Sequence, residues 1–136
     1  AKIEALAANA QEGVMLNVAG YVAECTGDNI FIAKDGKFYT PPVSAGGLNG
    51  ITRTVVIDLA QQCGYELTEM EMSRYDLYTA DELFLTGTAA EVVPVVRYDE
   101  RVIGDGTPGP ITRELMTAFS KMTETTGTPI YEAAAV

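Results

Sequence analysis

The chain has 136 residues, 47% of them hydrophobic and 21% charged, and its 19 acidic against 9 basic side chains leave a formal net charge of −10. A single domain of this size buries roughly 68% of the surface its unfolded chain exposes, enough for a core without disulfides or metal. The apolar content excludes a disordered chain, and the acidity excludes nucleic acid and anionic membrane surfaces, whose phosphates must be met by clustered Lys and Arg.

Ile3, Leu6, Ala7 and Ala10 recur at helical spacing, with Gly13 as a stop signal. Val14–Val18, Tyr21–Cys25, Asn29–Ala33 and Phe38–Thr40 read as short strands, and Asp35-Gly36 between the last two is a strong hairpin signal. The first third is therefore expected to be an antiparallel meander. The run PPVSAGGLNG, residues 41–50, reads as a loop, and Ile51–Cys63 as an amphipathic helix stopped by Gly64. A strand starting at Tyr65 and Leu67, a helical turn over Ser73–Thr79 and a strand over Leu83–Thr86 follow. Residues 86–90 interrupt the chain before a strand over Val92–Tyr98, in which Pro94 points to an edge or bulge. After Arg101–Ile103 and the loop GDGTPGP comes a final helix over Ile111–Met122, with Pro110 suited to its first position. Locally paired strands interspersed with helices predict an α+β (mixed α/β) fold.

Zero histidines exclude Ser-His-Asp and Cys-His catalytic units and most catalytic zinc sites. Catalysis would fall to a carboxylate, a lysine or a cofactor. Cys25 and Cys63 form no CxxC pattern, so no disulfide framework or zinc site is expected. No apolar run approaches the roughly 18 residues of a membrane span, no signal-peptide pattern opens the chain, and a cytoplasmic location is expected. The chain starts at Ala1 in a helical pattern without an initiator Met, as though cut from something longer.

Three segments carry chemistry. At SAGGLNGITR, glycines allow close backbone approach, and the first N–H groups of the helix at Ile51 and Thr52 favour an anion; equally, Gly50 could be a tight turn and Thr52 a cap. The same Ile-Thr-Arg tripeptide opens the helix at Ile111 with no glycine-rich loop before it. At FLTGTAAE, residues 84–91, consecutive amides and two hydroxyls suit a phosphate or carboxylate, or else form a bulge. Glu24 shares a strand face with Val22, which makes it either a half-buried carboxylate needing a cationic or donor partner or a solvated strand end. Glu66, Glu69, Glu71, Asp76, Asp81 and Glu82, with only Arg74 among them, read as a solvated acidic face.

In this order, GYVAECTGDNIFIAKDGKFYTPP, GITRTVVIDLA, LYTADELFLTGTAAEVVPV and GDGTPGPITREL resemble the C-terminal half of branched-chain amino acid aminotransferases, which are fold type IV pyridoxal-phosphate enzymes. The resemblance covers residues 2 to about 122, implying one cofactor-binding domain over 1–122 and a loose tail over 123–136. It implies an antiparallel-rich sheet or pseudo-barrel with flanking helices. It further implies that Glu24 pairs with the pyridine nitrogen of pyridoxal 5′-phosphate, that Leu48 packs on the ring, and that Gly50, Ile51 and Thr52 hold the phosphate together with Thr88. The amides of Thr88 and Ala89 would receive the substrate carboxylate. The second Ile-Thr-Arg stays structural.

Among relatives of this fold, GTAAEV favours transamination of Leu, Ile and Val, and the resemblance implies 2-oxoglutarate as the amino-group acceptor. The alternatives are a D-amino acid aminotransferase, which looks more like STTAEV here, or an aminodeoxychorismate lyase relative. The family's Schiff-base lysine lies upstream of the helix represented by residues 1–10. Lys2, Lys34, Lys37 and Lys121 do not occupy its place, so this chain alone is expected to be inactive, half of a site completed by an N-terminal domain in a homo-oligomeric parent. The remaining alternative is a non-catalytic isolated domain that self-associates.

Overall fold

The structure is a computed structural model that describes residues 1–128. Helix α1 spans Lys2–Ala7, after which Asn9, at φ 57°, turns the chain toward strand β1, Val14–Leu16. β1 is two residues shorter than expected because Asn17 ends it: its side chain accepts the Ala19 and Tyr21 N–H groups at 3.0 and 3.1 Å, an Asx-type turn that competes with the ladder. β1 pairs antiparallel with β2, Val22–Cys25, as a separate two-stranded sheet.

Strands β3 (Asn29–Lys34) and β4 (Lys37–Thr40) form the expected hairpin, with Asp35 and Gly36 both at positive φ as a primed turn requires. The meander does not run through the whole first third. Cys25 N–H bonds to the Asp28 carbonyl at 2.7 Å and Val22 N–H to Met72, so β2 turns away, and β3 takes β6 (Glu82–Gly87) as its second partner. The main sheet is open, in the order β5-β4-β3-β6-β7, with β5 (Leu67–Glu69) parallel to β4 and every other pairing antiparallel. β7 is Glu91–Val95, an edge strand, which is where Pro94 can sit without losing a ladder bond. The expected strand over Val92–Tyr98 is broken at Val96. β8 (Arg97–Tyr98) leaves the sheet to pair with β9 (Arg101–Val102) across a turn in which Asp99 has φ 50°.

Because successive side chains alternate, β3 and β6 feed two cores. Ile30, Ile32, Leu83 and Leu85 face Val22, Cys25, Met72 and Leu77. Phe31, Phe38 and Phe84 face Val56, Leu59, Leu115 and Phe119 of two helices, α2 (Ile51–Gln62) and α4 (Pro110–Thr125). Phe31 and Phe84 stack across the strands at 5.0 Å. α3, Arg74–Tyr78, starts from a capping box between Ser73 and Asp76. Pro110 is the first residue of α4, as expected, and the helix runs three residues past Met122, into the segment expected to be a loose tail. The rest of that tail, 129–136, lies outside the described residues. No helix among the described residues is long and apolar enough to cross a membrane.

Candidate functional site

The two Ile-Thr-Arg helix starts behave differently. At α4 a carboxylate fills the N-terminus: buried Glu82 accepts the N–H groups of Ile111 and Thr112 at 3.1 and 2.7 Å and the Thr112 hydroxyl at 2.6 Å. This corrects the expectation that Glu82 lies on a solvated face. Its burial is compensated by three donors and by the positive end of a 16-residue helix. Others of that acidic run are engaged too: Asp76 in the capping box, Asp81 with the Asp35 N–H, and Glu69 with Arg53. At α2, Gly50 stands at the N-cap with φ −64° and ψ 144°, no side chain caps the helix and no acidic residue lies in its first turn. The first amides of α2 thus have no counterpart of the Glu82 carboxylate that meets those of α4.

The loop leading into α2 is pressed against β2. A Cβ on Gly47 would lie 2.8 Å from the Ala23 carbonyl oxygen, so only glycine permits this approach. It brings the Leu48 N–H to 2.8 Å from Glu24 Oε2. Glu24 is half-buried on β2, and Leu48 is exposed. Asn29, buried at the start of β3, donates from Nδ2 to the Leu48 carbonyl at 2.8 Å and approaches Glu24 Oε2 at 3.5 Å. Its Oδ1 lies against Gly50, where a Cβ would come within 2.3 Å. Arg53, also buried, fastens the far side of the loop by donating to the Pro41 carbonyl at 3.0 Å and pairing with Glu69 at 3.1 Å.

The β6–β7 hairpin approaches from the other side. Asn29 pairs with Thr86 in the register, and Gly87 lies under Asp28, whose Oδ1 would be 1.9 Å from a Cβ there. Thr88 and Ala89 form the exposed tip. Burial, with the nearby Glu12 charge, raises the Asp28 carboxyl above the ordinary range against the opposing pull of Lys2. Thr86 Oγ1 is buried without a hydrogen-bond partner. Glu24, Leu48 and Gly50 are thus joined through hydrogen bonds and Asn29, Ile51 and Thr52 follow at the helix start, and Thr88 and Ala89 follow Gly87, which is tied to this end by the Asn29–Thr86 pairing and by its close packing against Asp28. Asn29 and Arg53 are residues of this cluster that the sequence reading does not single out, and Thr86 enters it only as one of the two hydroxyls of FLTGTAAE. Polar residues opening or closing runs such as NIFIA and LFLT are the available signal.

A family model described as amino-transferase class IV matches residues 1–98. The chain belongs to the class IV amino-transferases. It is 49% identical over 132 residues to a putative branched-chain-amino-acid aminotransferase of Methanocaldococcus jannaschii, covering 97% of this chain and 46% of that protein. The solved structure of the branched-chain amino acid aminotransferase from Escherichia coli superposes with a TM-score of 0.87 at 44% identity, covering 88% of this chain and 41% of the other. The Thermobaculum terrenum branched-chain amino acid aminotransferase, solved in its PLP (holo) form, gives 0.87 at 40% identity over 90% of this chain and 40% of that one. The chain thus spans less than half the length of these relatives. The mixed α+β architecture, with antiparallel-rich open sheets and flanking helices, is that of fold type IV aminotransferases.

Proposed function

We propose that this chain forms the cofactor-holding part of a branched-chain amino acid transaminase, binding pyridoxal 5′-phosphate between Glu24 and the N-terminus of α2. One observation carries the reading: the segment Leu48–Gly50 joins a carboxylate, Glu24, to a helix start that no side chain caps. A ligand with a protonated ring nitrogen at one end and a phosphate at the other matches both ends. The Ile51 and Thr52 amides and the Thr52 hydroxyl would hold the phosphate in the way their counterparts at α4 hold Glu82. Leu48, exposed beside Glu24, would pack on the ring. Thr88 and Ala89 would take part in binding the phosphate and the substrate carboxylate. When bound, the protonated pyridine ring withdraws electrons from the amino acid's Cα. What this chain would add is a negative partner, Glu24, that favours the protonated ring nitrogen; opposite unit charges about 4 Å apart attract by about 4 kcal/mol at an effective dielectric of about 20, before desolvation is subtracted.

The same reading makes the chain half of a site, completed by a further domain that supplies the lysine, within a larger oligomeric enzyme that transfers amino groups from Leu, Ile and Val to 2-oxoglutarate. Its own lysines are engaged or remote: Lys2 with Glu12 and the Gln11 carbonyl, Lys34 with Thr79, Lys37 with Glu66, and Lys121 on α4. Borohydride reduction of the 136-residue chain with pyridoxal 5′-phosphate, followed by peptide mapping, is expected to leave these four lysines unmodified, and leucine with 2-oxoglutarate is expected to give no turnover. Stoichiometric trapping at one of them, or turnover, would contradict the half-site reading.

A further inference from the structure

Asn29 meets every part of the loop that the cofactor reading uses. Its side chain is 8% exposed, and its backbone is fixed in the central strand β3 opposite Thr86. One carboxamide touches three groups: the Leu48 carbonyl at 2.8 Å, Glu24 Oε2 at 3.5 Å, and the backbone of Gly50, which packs against Oδ1. The direct approach to Glu24 is long for a hydrogen bond, so the stronger route runs through Leu48. The Leu48 carbonyl accepts from Asn29 and from the Gly50 N–H at 2.9 Å, while its own N–H donates to Glu24 Oε2 at 2.8 Å.

We propose that Asn29 is a positioning residue that orients Glu24 toward the ring nitrogen of the cofactor, by holding the Leu48 peptide in line and by directing its own amide at the same carboxylate oxygen. This rests on the reading of Glu24 and residues 48–52 as the cofactor cradle. Both donors converge on Oε2, which leaves Oε1 as the acceptor for a protonated ring nitrogen. The choice of side chain follows from the partners. Leu48 offers a carbonyl and Glu24 a carboxylate, two acceptors that need a donor, and the amide supplies two N–H bonds from one atom. Aspartate at this position would have the same shape and present oxygens to oxygens.

The test uses the full-length protein and three ligands: pyridoxal 5′-phosphate, the analogue in which carbon replaces the ring nitrogen, and pyridoxal without its phosphate. Equilibrium titration yields two ratios, the preference for the ring nitrogen and the preference for the phosphate. In Asn29→Ala and in the similarly sized, uncharged Asn29→Leu, neither of which has a donor, the ring-nitrogen preference is expected to fall about tenfold, the size of one hydrogen bond to a charged group, with the phosphate preference unchanged. In a Glu24→Gln background the Asn29 substitution is expected to change that preference no further. Equal loss for all three ligands would make Asn29 a structural strut and overturn the proposal, as would an unchanged ring-nitrogen preference. If Asn29→Ala does not fold, Asn29→Leu decides the matter alone. Failure of the unsubstituted protein to bind any of the three ligands would overturn the cofactor reading itself, and this inference with it.

Discussion

Thr52 and Thr112 occupy the same place in two Ile-Thr-Arg helix starts, both are buried, and only Thr112 has a carboxylate to bind. Removing each hydroxyl while keeping the shape should therefore have opposite consequences. Thr112→Val takes a donor from buried Glu82 and is expected to cost about 1–3 kcal/mol of folding stability with cofactor affinity intact. Thr52→Val is expected to leave stability nearly unchanged and weaken pyridoxal 5′-phosphate binding about tenfold, read by chemical denaturation and ligand titration on both variants. The thiols separate in the same residue-by-residue way. Burial first, then the charges of Glu12, Asp28 and Glu24, push the Cys25 thiol up to about 12, whereas Cys63 is only half-buried on the end of α2. Because the thiolate is the nucleophile, alkylation of the native protein at about pH 8 is expected to modify Cys63 first, with Cys25 reacting only after denaturation. At this scale the sequence shows Glu24, Leu48 and Thr52 as chemistry-bearing residues through glycine spacing, strand alternation and family resemblance. It does not show Asn29, because an asparagine before a strand looks the same whether it bonds to its neighbours or reaches across to residue 48.

Elements whose signal is local were legible with little error. The Asp35-Gly36 hairpin, the helix beginning at Ile51 and the start of α4 at Pro110 each depend on a turn, a periodicity or a proline within a few residues. What escaped is set by distant partners. The broken meander follows from β3 choosing β6, some fifty residues away, over β2, and the split at Val96 from the β8–β9 hairpin. Glu82 shows the same limit, since a run of acidic residues reads as solvated until the helix start that buries one of them is in place. The contact is close enough to make Gly109 irreplaceable: a Cβ there would fall 2.0 Å from Glu82 Cδ and 2.4 Å from its Oε1. Gly109→Ala must displace a buried carboxylate from its donors at Ile111 and Thr112, which is expected to cost about 2–4 kcal/mol and to loosen α4. Hydrogen exchange across residues 110–125 measures it, with protection falling in α4 while α2 is unaffected.

For the molecule as a whole, the two cores on opposite faces of one open sheet explain how an acidic chain of this length holds a site at its edge. β3 and β6, buried over all but their last residues, fix Asn29 and Thr86 side by side, and around that end of the pair lie Glu24 on β2, Leu48 and the start of α2 in the connection after β4, and the Gly87–Ala89 tip. Fold class was readable from the order of elements. The convergence of these loops was not, because it depends on a register that places residue 29 against residue 86. The absence of histidine fits the arrangement: a carboxylate, backbone amides and hydroxyls are what this end of the sheet offers, and a cofactor is what they suit. The most direct measurement is a crystal structure of the full-length protein soaked with pyridoxal 5′-phosphate. The phosphate is expected at about 2.7–3.2 Å from the Ile51 and Thr52 amides and the Thr52 hydroxyl, with the ring nitrogen at similar distance from Glu24. A phosphate bound elsewhere, or a ring nitrogen facing away from Glu24, would contradict the account.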